Sequence, residues 1–226
     1  SAGKAIVESA LALWGPVSKL KNRYTITGLE HIEAAQARGQ GVLMVGCHFT
    51  TLDIAGRMLA FHVKYDMLYR KDPNPLLAYK LVSAREGFAG SAIIKSDTRQ
   101  LIRNLRQGNV VWYAPDQDFG PRHSVFAPFF GVQTATVVGT ARIAKMGQAA
   151  VISFFHYRDE NNHYRIEIGP PLENFPTGDD VADATRINHM IETAVAKQPE
   201  QYLWVHRRFK TRPPGEPDVY ARKRSD

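Results

Sequence analysis

Short apolar runs alternate with longer segments of helical periodicity along most of this sequence. Apolar residues at helical spacing predict helices at residues 2–14, 29–38, 51–61, 76–86, 98–107, 136–146 and 180–197. Apolar or alternating runs predict strands at residues 24–27, 41–47, 64–69, 91–94, 110–114, 149–156 and 164–168. A long loop is predicted at 119–134, and a surface tail after Lys210. This alternation indicates an α/β fold, with a central mixed, mostly parallel sheet flanked by helices in a single domain spanning 1–226.

Composition and charge narrow the classes of partner. The chain has 226 residues, 44% hydrophobic and 23% charged, which allows one sizeable core and excludes a disordered composition. The net charge of +7 favours anionic partners, namely nucleic acid, anionic lipid, a phosphorylated substrate or an acidic carrier protein. The single cysteine, Cys47, excludes an intrachain disulfide, and we interpret it as a buried structural thiol.

The sequence carries no recognisable membrane or export signal. No apolar run approaches the ~18–20 residues that a spanning helix needs, and no signal peptide is visible. The chain begins at Ser1, not methionine, inside a predicted helix. We therefore expect a truncated or processed start, with any membrane anchor absent from this chain.

The end of the predicted strand at 41–47 carries the first candidate chemistry. Gly46 ends the apolar run, His48 follows it, and Asp53 comes five residues after the histidine. Such a pair can serve as a general base and its orienting acid, provided that His48 precedes the helix. A second interpretation stays open at this point. Residues 50–53 read Thr-Thr-Leu-Asp, a pattern typical of a helix capping box, in which Asp53 has only a structural role.

Polar residues follow other predicted strands. Arg70 and Lys71 come after the strand at 64–69 and could bind a phosphate or carboxylate, or form a solvated turn. The segment 116–118, Asp-Gln-Asp, follows the strand at 110–114 and suits a metal site, a hydroxyl-binding site or a plain turn. The metal interpretation is weak, because no nearby His or Glu completes a ligand set. Residues 202–210 mix aromatic and basic side chains, which could bind anionic lipid or nucleic acid. The alternative interpretation is an alternating edge strand with basic side chains on its outer face.

Taken together, these segments resemble the late (secondary) acyltransferases of lipid A biosynthesis, which share an H-x4-D/E motif with the wider glycerolipid acyltransferases. The blocks that carry the resemblance run in family order at residues 46–53, 69–70 with Asn74, 112–120, 126–130 and 198–213. Members of the family usually begin with a membrane anchor, and we expect that part to be missing from this chain.

The resemblance implies a glycerolipid acyltransferase-like fold and a specific reaction. A fatty acyl chain would move from acyl carrier protein to a hydroxyl of a 3-hydroxyacyl chain on a lipid A precursor. His48 would be the general base and Asp53 its orienting acid. The oxyanion donor stays open between backbone N–H groups and Arg70. The implied substrate-binding residues are Arg70, Asn74, Asp116, Gln117, Asp118, Arg207 and Arg208.

The same resemblance implies partners and location. Acyl carrier protein, a lipid A precursor and the lipid surface would be partners, at the cytoplasmic face of the inner membrane. No nucleic acid, metal or cofactor is expected, since the acyl carrier protein thioester is itself a substrate. The main alternative is a non-catalytic basic protein that binds nucleic acid or anionic membrane through Arg207, Arg208 and Lys210. A less favoured alternative is a metal hydrolase that uses Asp116 and Asp118.

Overall fold

The predicted α/β architecture is confirmed by a computed structural model, which describes residues 2–69 and 72–221. The strands are β1 Tyr24–Thr27, β2 Val42–Val45, β3 Tyr65–Tyr69, β4 Ala92–Ile94, β5 Val110–Tyr113, β6 Ser124–Phe129, β7 Val132–Val137, β8 Ala150–Arg158 and β9 Tyr164–Pro171. The α-helices are α1 Ala2–Trp14, α2 Leu29–Ala37, α3 Leu52–Leu59, α4 Pro75–Glu86, α5 Thr98–Arg106, α6 Gly139–Gly147 and α7 Asp180–Lys197. Two 3₁₀ turns lie at Val17–Lys19 and Pro199–Gln201.

A seven-stranded sheet in the order β1-β9-β8-β2-β5-β3-β4 forms the centre of the fold. All its neighbouring strands pair in parallel except β8 and β9, which are antiparallel. The central strand β2 lies between β8 and β5, and all four of its residues are buried, as expected of a strand covered on both faces. The loops that follow β2, β5 and β3 therefore meet at one edge of the sheet.

Each face of the sheet carries its own hydrophobic cluster. Residues of α1, α2 and α3 pack on one face, where Met44, Ile54 and Ile152 are fully or almost fully buried. Residues of α5, α6 and α7 pack on the other face, around Leu43, Leu105 and Val195. Alternate residues of β2 point into the two clusters, because successive side chains on a strand face opposite sides.

A buried ion pair fixes α1 to the sheet. Arg158 Nη1 lies 2.6 Å from both carboxylate oxygens of Glu8, and the Tyr164 hydroxyl donates to the same carboxylate at 2.5 Å. Loss of one partner from such a pair leaves a buried, uncompensated charge and costs about 3–5 kcal/mol.

Within the described part of the chain, no helix has the length and apolar character required to cross a bilayer.

Two segments differ from the sequence-based expectation. The predicted loop at 119–134 contains β6 and the first half of β7, which form an antiparallel hairpin. Helix α6 accordingly begins at Gly139 instead of residue 136. The glycines and prolines of this segment indicated irregular structure, but Pro128 lies in a strand that has only one neighbour in its sheet, where proline is tolerated. The proposed edge strand at 202–210 is not formed either, since only an isolated bridge joins Phe49 and Tyr202.

Candidate active site

His48 and Asp116 form a close pair at the edge where β2 and β5 end. The Asp116 carboxylate accepts two hydrogen bonds from His48, one from Nδ1 at 2.7 Å and one from the backbone N–H at 2.9 Å. Asp116 is buried, whereas the side chain of His48 keeps 27% of its surface exposed. The bond at Nδ1 leaves Nε2 as the nitrogen that can exchange a proton with a bound molecule.

The C-terminal segment holds both loops of this pair. Thr50 N–H donates to Gln201 O at 2.7 Å, and Leu203 N–H donates to His48 O at 2.9 Å, so the His48 loop is bonded on both sides of Phe49. The Asp118 carboxylate accepts from Gly120 N–H and from Thr211 N–H, each at 2.7 Å. The aromatic and basic block at 202–210 therefore lies within a segment that positions the site.

The electrostatics of the pair favour a charged histidine. Burial lowers the pKa of His48, but the hydrogen bond and negative charge of Asp116 outweigh burial and raise this pKa above its ordinary value of 6.5. Burial raises the pKa of Asp116, whereas the hydrogen bonds and charge of His48 lower it more, so the net pKa lies below 3.8. The imidazole can thus take up a proton near neutral pH while the carboxylate stays ionised.

A pocket of about 250 Å³ opens beside His48, under α3 and α4. Its lining combines apolar and aromatic side chains with one histidine, one carboxylate and one guanidinium. The lining residues are His48, Leu52, Asp53, Gly56, Tyr65, Met67, Leu68, Tyr69, Arg85, Phe88, Trp112 and Phe154. A largely apolar pocket with a few convergent polar groups is the usual form of a ligand site.

Two glycines allow close packing around this pocket. A Cβ at Gly46 would lie 2.9 Å from Trp112 Nε1 and 2.9 Å from Phe154 O, which is too close without a shift of the strand end. A Cβ at Gly56, in the middle of α3, would lie 2.6 Å from the Tyr65 hydroxyl. The absence of a side chain at both positions allows the helix and the aromatic residues to approach each other around the pocket.

The predicted contact between His48 and Asp53 is not formed. Asp53 Oδ1 accepts from Arg85 Nη2 at 2.9 Å and from Arg85 Nε at 3.3 Å, while Asp116 occupies Nδ1 of His48. The physical reason lies in the fold, because the pairing of β2 with β5 brings Asp116 to His48, and α4 brings a guanidinium to Asp53. Asp53 still lines the same pocket as His48.

The capping box is also absent. The residue preceding α3 is Thr51, which makes no side-chain cap hydrogen bond. The Thr51 hydroxyl lies 2.8 Å from Nδ1 of the buried His156, and the Thr50 hydroxyl is buried without a partner among the described residues. Neither interpretation of the segment 50–53 therefore describes its hydrogen bonds.

The predicted substrate-binding residues fall into different environments. Arg70 lies outside the described residues. Asn74 caps α4 by accepting from Leu76 and Leu77 N–H, and it is exposed. Gln117 is half-buried beside Asp116 in the loop after β5, and Asp118 is bonded to backbone as described above.

Arg207 and Arg208 are separated by the fold. Arg207 is exposed, with its guanidinium 5.5 Å from the centre of the Tyr220 ring. Arg208 is 1% exposed, and its terminal nitrogens donate to Ala135 O, Thr136 Oγ1 and Asn188 Oδ1. The expectation that Arg208 binds substrate is thus corrected, since its terminal nitrogens are bonded within the interior.

Some residues of the site were not identified from the sequence. Arg85, Phe88 and Tyr65 line the pocket, yet no motif marks them, because only the tertiary packing of α4, the turn after it and β3 brings them together. Asp116 was identified, but as a substrate contact and not as the partner of His48. The adjacency of β2 and β5 was the missing signal, and the order of strands in a sheet is not readable from local patterns.

The arrangement suits proton removal from a hydroxyl. His48 provides a base with a fixed tautomer, and the neighbouring Cys47 is buried, which raises the pKa of its thiol well above the usual range. The substrate must therefore supply the nucleophile if the reaction is an acyl transfer. The metal-hydrolase alternative needs Asp116 as a free ligand, whereas both of its carboxylate oxygens accept hydrogen bonds from His48.

Comparisons with known proteins agree with this chemistry. Residues 1–211 match the model of a family described as bacterial lipid A biosynthesis acyltransferase. The chain is 37% identical over 222 residues to the lipid A biosynthesis lauroyltransferase of Escherichia coli (strain K12). That match covers 97% of this chain and 72% of the lauroyltransferase. It is 36% identical to the palmitoleoyltransferase of the same strain, over the same shares of the two chains. The myristoyltransferase of that strain is 34% identical, over 94% of this chain and 67% of its own length.

Among solved structures, the 1-acyl-sn-glycerophosphate acyltransferase PlsC from Thermotoga maritima matches with a TM-score of 0.49 and 12% identity. That match covers 88% of this chain and 80% of the other chain. A likeness of this degree adds nothing to the functional assignment, which rests on the sequence relatives. The relatives also favour an enzyme over the non-catalytic basic binder.

Proposed function

This chain belongs to the bacterial lipid A biosynthesis acyltransferases, and we propose that it transfers an acyl group from a specific donor to a specific class of acceptor. The donor is a fatty acyl thioester of acyl carrier protein, and the acceptor is a hydroxyl of a 3-hydroxyacyl chain on a lipid A precursor. The single observation that carries the proposal is the hydrogen-bonded pair of His48 and Asp116 at the mouth of an apolar pocket.

The proposed reaction is a direct transfer. Nε2 of neutral His48 removes the proton of the acceptor hydroxyl as its oxygen attacks the thioester carbonyl carbon. The tetrahedral intermediate collapses with cleavage of the carbon–sulfur bond, and the leaving thiolate takes the proton from the His48 imidazolium. The products are an ester and the free thiol of the carrier, so that protons and bonds balance without a cofactor.

Asp116 supports this role of His48 in two ways. Its hydrogen bond to Nδ1 fixes the tautomer with the basic lone pair on Nε2, and its charge stabilises the imidazolium that forms during attack. The backbone bond from His48 N–H to the same carboxylate fixes the loop as well as the ring. A buried carboxylate with two bonds to one residue is a rigid support for a base.

The pocket suits an alkyl chain. Leu52, Met67, Phe88 and Phe154 give it an apolar surface, while His48 and Asp53 lie on its polar side. Transfer of alkyl groups from water into such a lining is favourable by about 0.8 kcal/mol per methylene. We assign the pocket to an acyl chain of a substrate whose reactive group lies at His48.

We place the reaction at the lipid surface, on the cytoplasmic face of the inner membrane, where both substrates meet. Helix α4, which contributes Arg85 to the pocket and is followed by the pocket residue Phe88, buries none of its residues. Leu76 is 67% exposed and Tyr79 is 66% exposed on this helix, and Ile6 of the neighbouring α1 is 73% exposed. Exposed apolar side chains next to a lipid-substrate pocket, on a chain of net charge +7, suit an anionic lipid surface.

A reconstituted assay tests the proposal. The protein is incubated with a fatty acyl thioester of acyl carrier protein and a lipid A precursor, and the lipid product is analysed by mass spectrometry. We expect the mass to increase by one acyl group, with fragmentation locating the new ester on a hydroxyacyl chain. A parallel reaction with the same acyl chain on coenzyme A tests the donor. The absence of product with the carrier thioester, or equal rates with coenzyme A, would contradict the proposed donor.

A further inference from the structure

Helix α5 has three arginines on its outer side. Arg99, Arg103 and Arg106 are exposed, and their spacings of four and three residues place them along one side of the helix. Leu101 and Leu105, on the other side, are buried in the hydrophobic cluster of the same sheet face. We call the three exposed side chains the arginine row.

The charges of the arginine row are not neutralised within the protein. None of the three guanidiniums forms an ion pair with another residue in the described part of the chain, and residues 98–106 include no acid. The preceding Asp97 caps α5 by accepting from Gln100 N–H at 3.0 Å. Like charges at these spacings repel each other, and Arg99 also lies in the first turn, at the positive end of the helix dipole. An anionic partner would relieve this repulsion.

The arginine row begins close to the loop that carries Asp116. Lys95, between β4 and α5, has its Nζ 5.0 Å from the centre of the Phe119 ring, and Phe119 lies in the same loop after β5 as Asp116. Ile94 is 43% exposed and Phe119 is 48% exposed, so apolar surface adjoins the basic side chains. Strand β4 is three strands from β2 in the sheet, which corresponds to about 14 Å at ~4.8 Å per strand.

The arginine row and the exposed apolar side chains of α1 and α4 belong to opposite faces of the sheet. Helix α1 packs on the face of the Met44 cluster and contacts α4, whereas α5 packs on the face of the Leu43 cluster. A flat bilayer that meets α1 and α4 does not also reach the outer side of α5. The arginine row therefore suits a soluble anionic partner that approaches from the other face.

We propose that the arginine row, together with Lys95, is the docking surface for acyl carrier protein, an acidic protein that presents its acyl thioester on a flexible arm. The inference rests on the proposed function, in which this carrier is the donor, and adds the surface at which the carrier binds. Opposite charges on two proteins steer their encounter and fix their relative orientation. The carrier and the lipid acceptor then approach His48 from opposite faces of the sheet.

Charge reversal tests the proposal in the reconstituted assay. The test variant is Arg99→Glu/Arg103→Glu. The matched control is Lys64→Glu/Arg165→Glu, which changes the net charge equally at exposed positions outside α5 and the pocket. We expect R99E/R103E to raise the KM for the carrier thioester by about 10–100-fold, because like charges then face each other. Its kcat and its KM for the lipid precursor should stay unchanged, and the control should match wild type in all three values.

Salt dependence and direct binding supply readouts that a structural role of α5 would not change. The kcat/KM of the wild type for the carrier thioester should fall as salt is added, and the fall should be shallower in R99E/R103E. R99K/R103K should retain most of the affinity, since it keeps the charges. Binding of the carrier without an acyl chain, measured by isothermal titration calorimetry, should follow the same order without turnover. Circular dichroism checks the fold, which a glutamate in the first turn of α5 should not disturb.

Two results would overturn the inference. One is equal carrier kinetics in R99E/R103E and in the K64E/R165E control. The other is a raised KM for the lipid precursor together with weaker binding to phosphatidylglycerol vesicles, since the arginine row would then be a lipid contact. Failure of the proposed function has a different signature, namely a wild type that neither binds the carrier nor uses its thioester. A wild type and an R99E/R103E variant that use the carrier thioester equally well would reject the docking surface alone.

Discussion

His48 and His156 lie in adjoining parts of the sheet edge and have opposite environments. Each uses Nδ1 for a single polar side chain, Asp116 for His48 at 2.7 Å and the Thr51 hydroxyl for His156 at 2.8 Å. His156 is 0% exposed and its Nε2 has no partner among the described residues, whereas His48 faces the pocket. Burial without a carboxylate lowers the pKa of His156 to about 3, while Asp116 raises the pKa of His48.

The comparison shows that the neighbour of a histidine decides whether it can act as a base. A histidine that stays neutral down to pH 3 and has no access to a pocket cannot exchange protons with a substrate. A histidine with a carboxylate at Nδ1 and a free Nε2 in a pocket can do so. Desolvation acts on both rings, so the charge of Asp116 accounts for the opposite direction of the two pKa shifts.

The largest expected effect separates the two histidines by activity. His48→Ala should lose acyl transfer by several orders of magnitude per folded molecule, because no other group in the pocket has the position of Nε2. His156→Leu should keep the activity per folded molecule, since the leucine replaces a ring that does not reach the pocket. Initial rates normalised to the folded fraction measure both variants. Equal losses in the two variants would remove the distinction between them.

The next largest effect tests the cause of the raised pKa of His48. Asp116→Asn should lower kcat by about 10²–10⁴-fold, because an asparagine neither carries the charge nor enforces the productive tautomer. Activity of the wild type should rise with pH through the His48 pKa, above 6.5. In D116N the residual activity should show an acid limb below 6.5, since burial alone then acts on the ring. An unshifted limb would mean that another group governs the profile.

The sequence allowed the fold class to be predicted, but not the contacts within the candidate site. The alternation of apolar runs predicted the mostly parallel sheet, and the segments proposed to carry chemistry after β2 and β5 lie at one edge of that sheet. The partner of His48 was predicted wrongly, because the nearest acid in the chain is Asp53 whereas the nearest acid in space is Asp116. Contacts between residues 68 positions apart depend on strand order, which local patterns do not contain.

At residues 202–210, too, local patterns were not enough to predict the environment of a side chain. Alternating aromatic and basic residues at 202–210 indicated a basic surface, yet Arg208 is buried and bonded to Thr136 and Asn188. Residue type alone favours exposure for arginine, and only a network of interior acceptors makes burial possible. The hairpin of β6 and β7 provides part of that network, so the error in predicting a loop there and the error at Arg208 have one origin.

A third effect concerns stability in acid. Because the native pKa of His156 is about 3, the unfolded chain binds a proton near pH 6.5 that the native state does not. The free energy of unfolding of the wild type should therefore fall between pH 6.5 and pH 3, by at most about 5 kcal/mol from this residue at 1.36 kcal/mol per pH unit. Urea unfolding at several pH values should show a flatter dependence in H156L.

His48 does not interfere with this measurement. Its native pKa is raised, so its contribution to stability is fully present below pH 6.5 and is lost only as the pH rises through the native pKa. Asp116 has a lowered pKa, and its contribution is lost at still lower pH, through the native pKa below 3.8. Parallel curves for wild type and H156L would contradict the buried, neutral state of His156.

The smallest effect tests whether burial or the hydrogen bond keeps His156 neutral. Thr51→Val has nearly the same shape and removes the hydroxyl 2.8 Å from Nδ1, which leaves a buried ring without its polar side-chain partner. We expect a loss of about 1–3 kcal/mol in the free energy of unfolding at neutral pH. Because burial is the largest cause of the lowered pKa, the decline of stability between pH 6.5 and pH 3 should persist in T51V. A T51V curve as flat as that of H156L would instead assign the neutral state to the Thr51 bond, and the contrast between the two histidines would then rest on the hydrogen-bond partner alone.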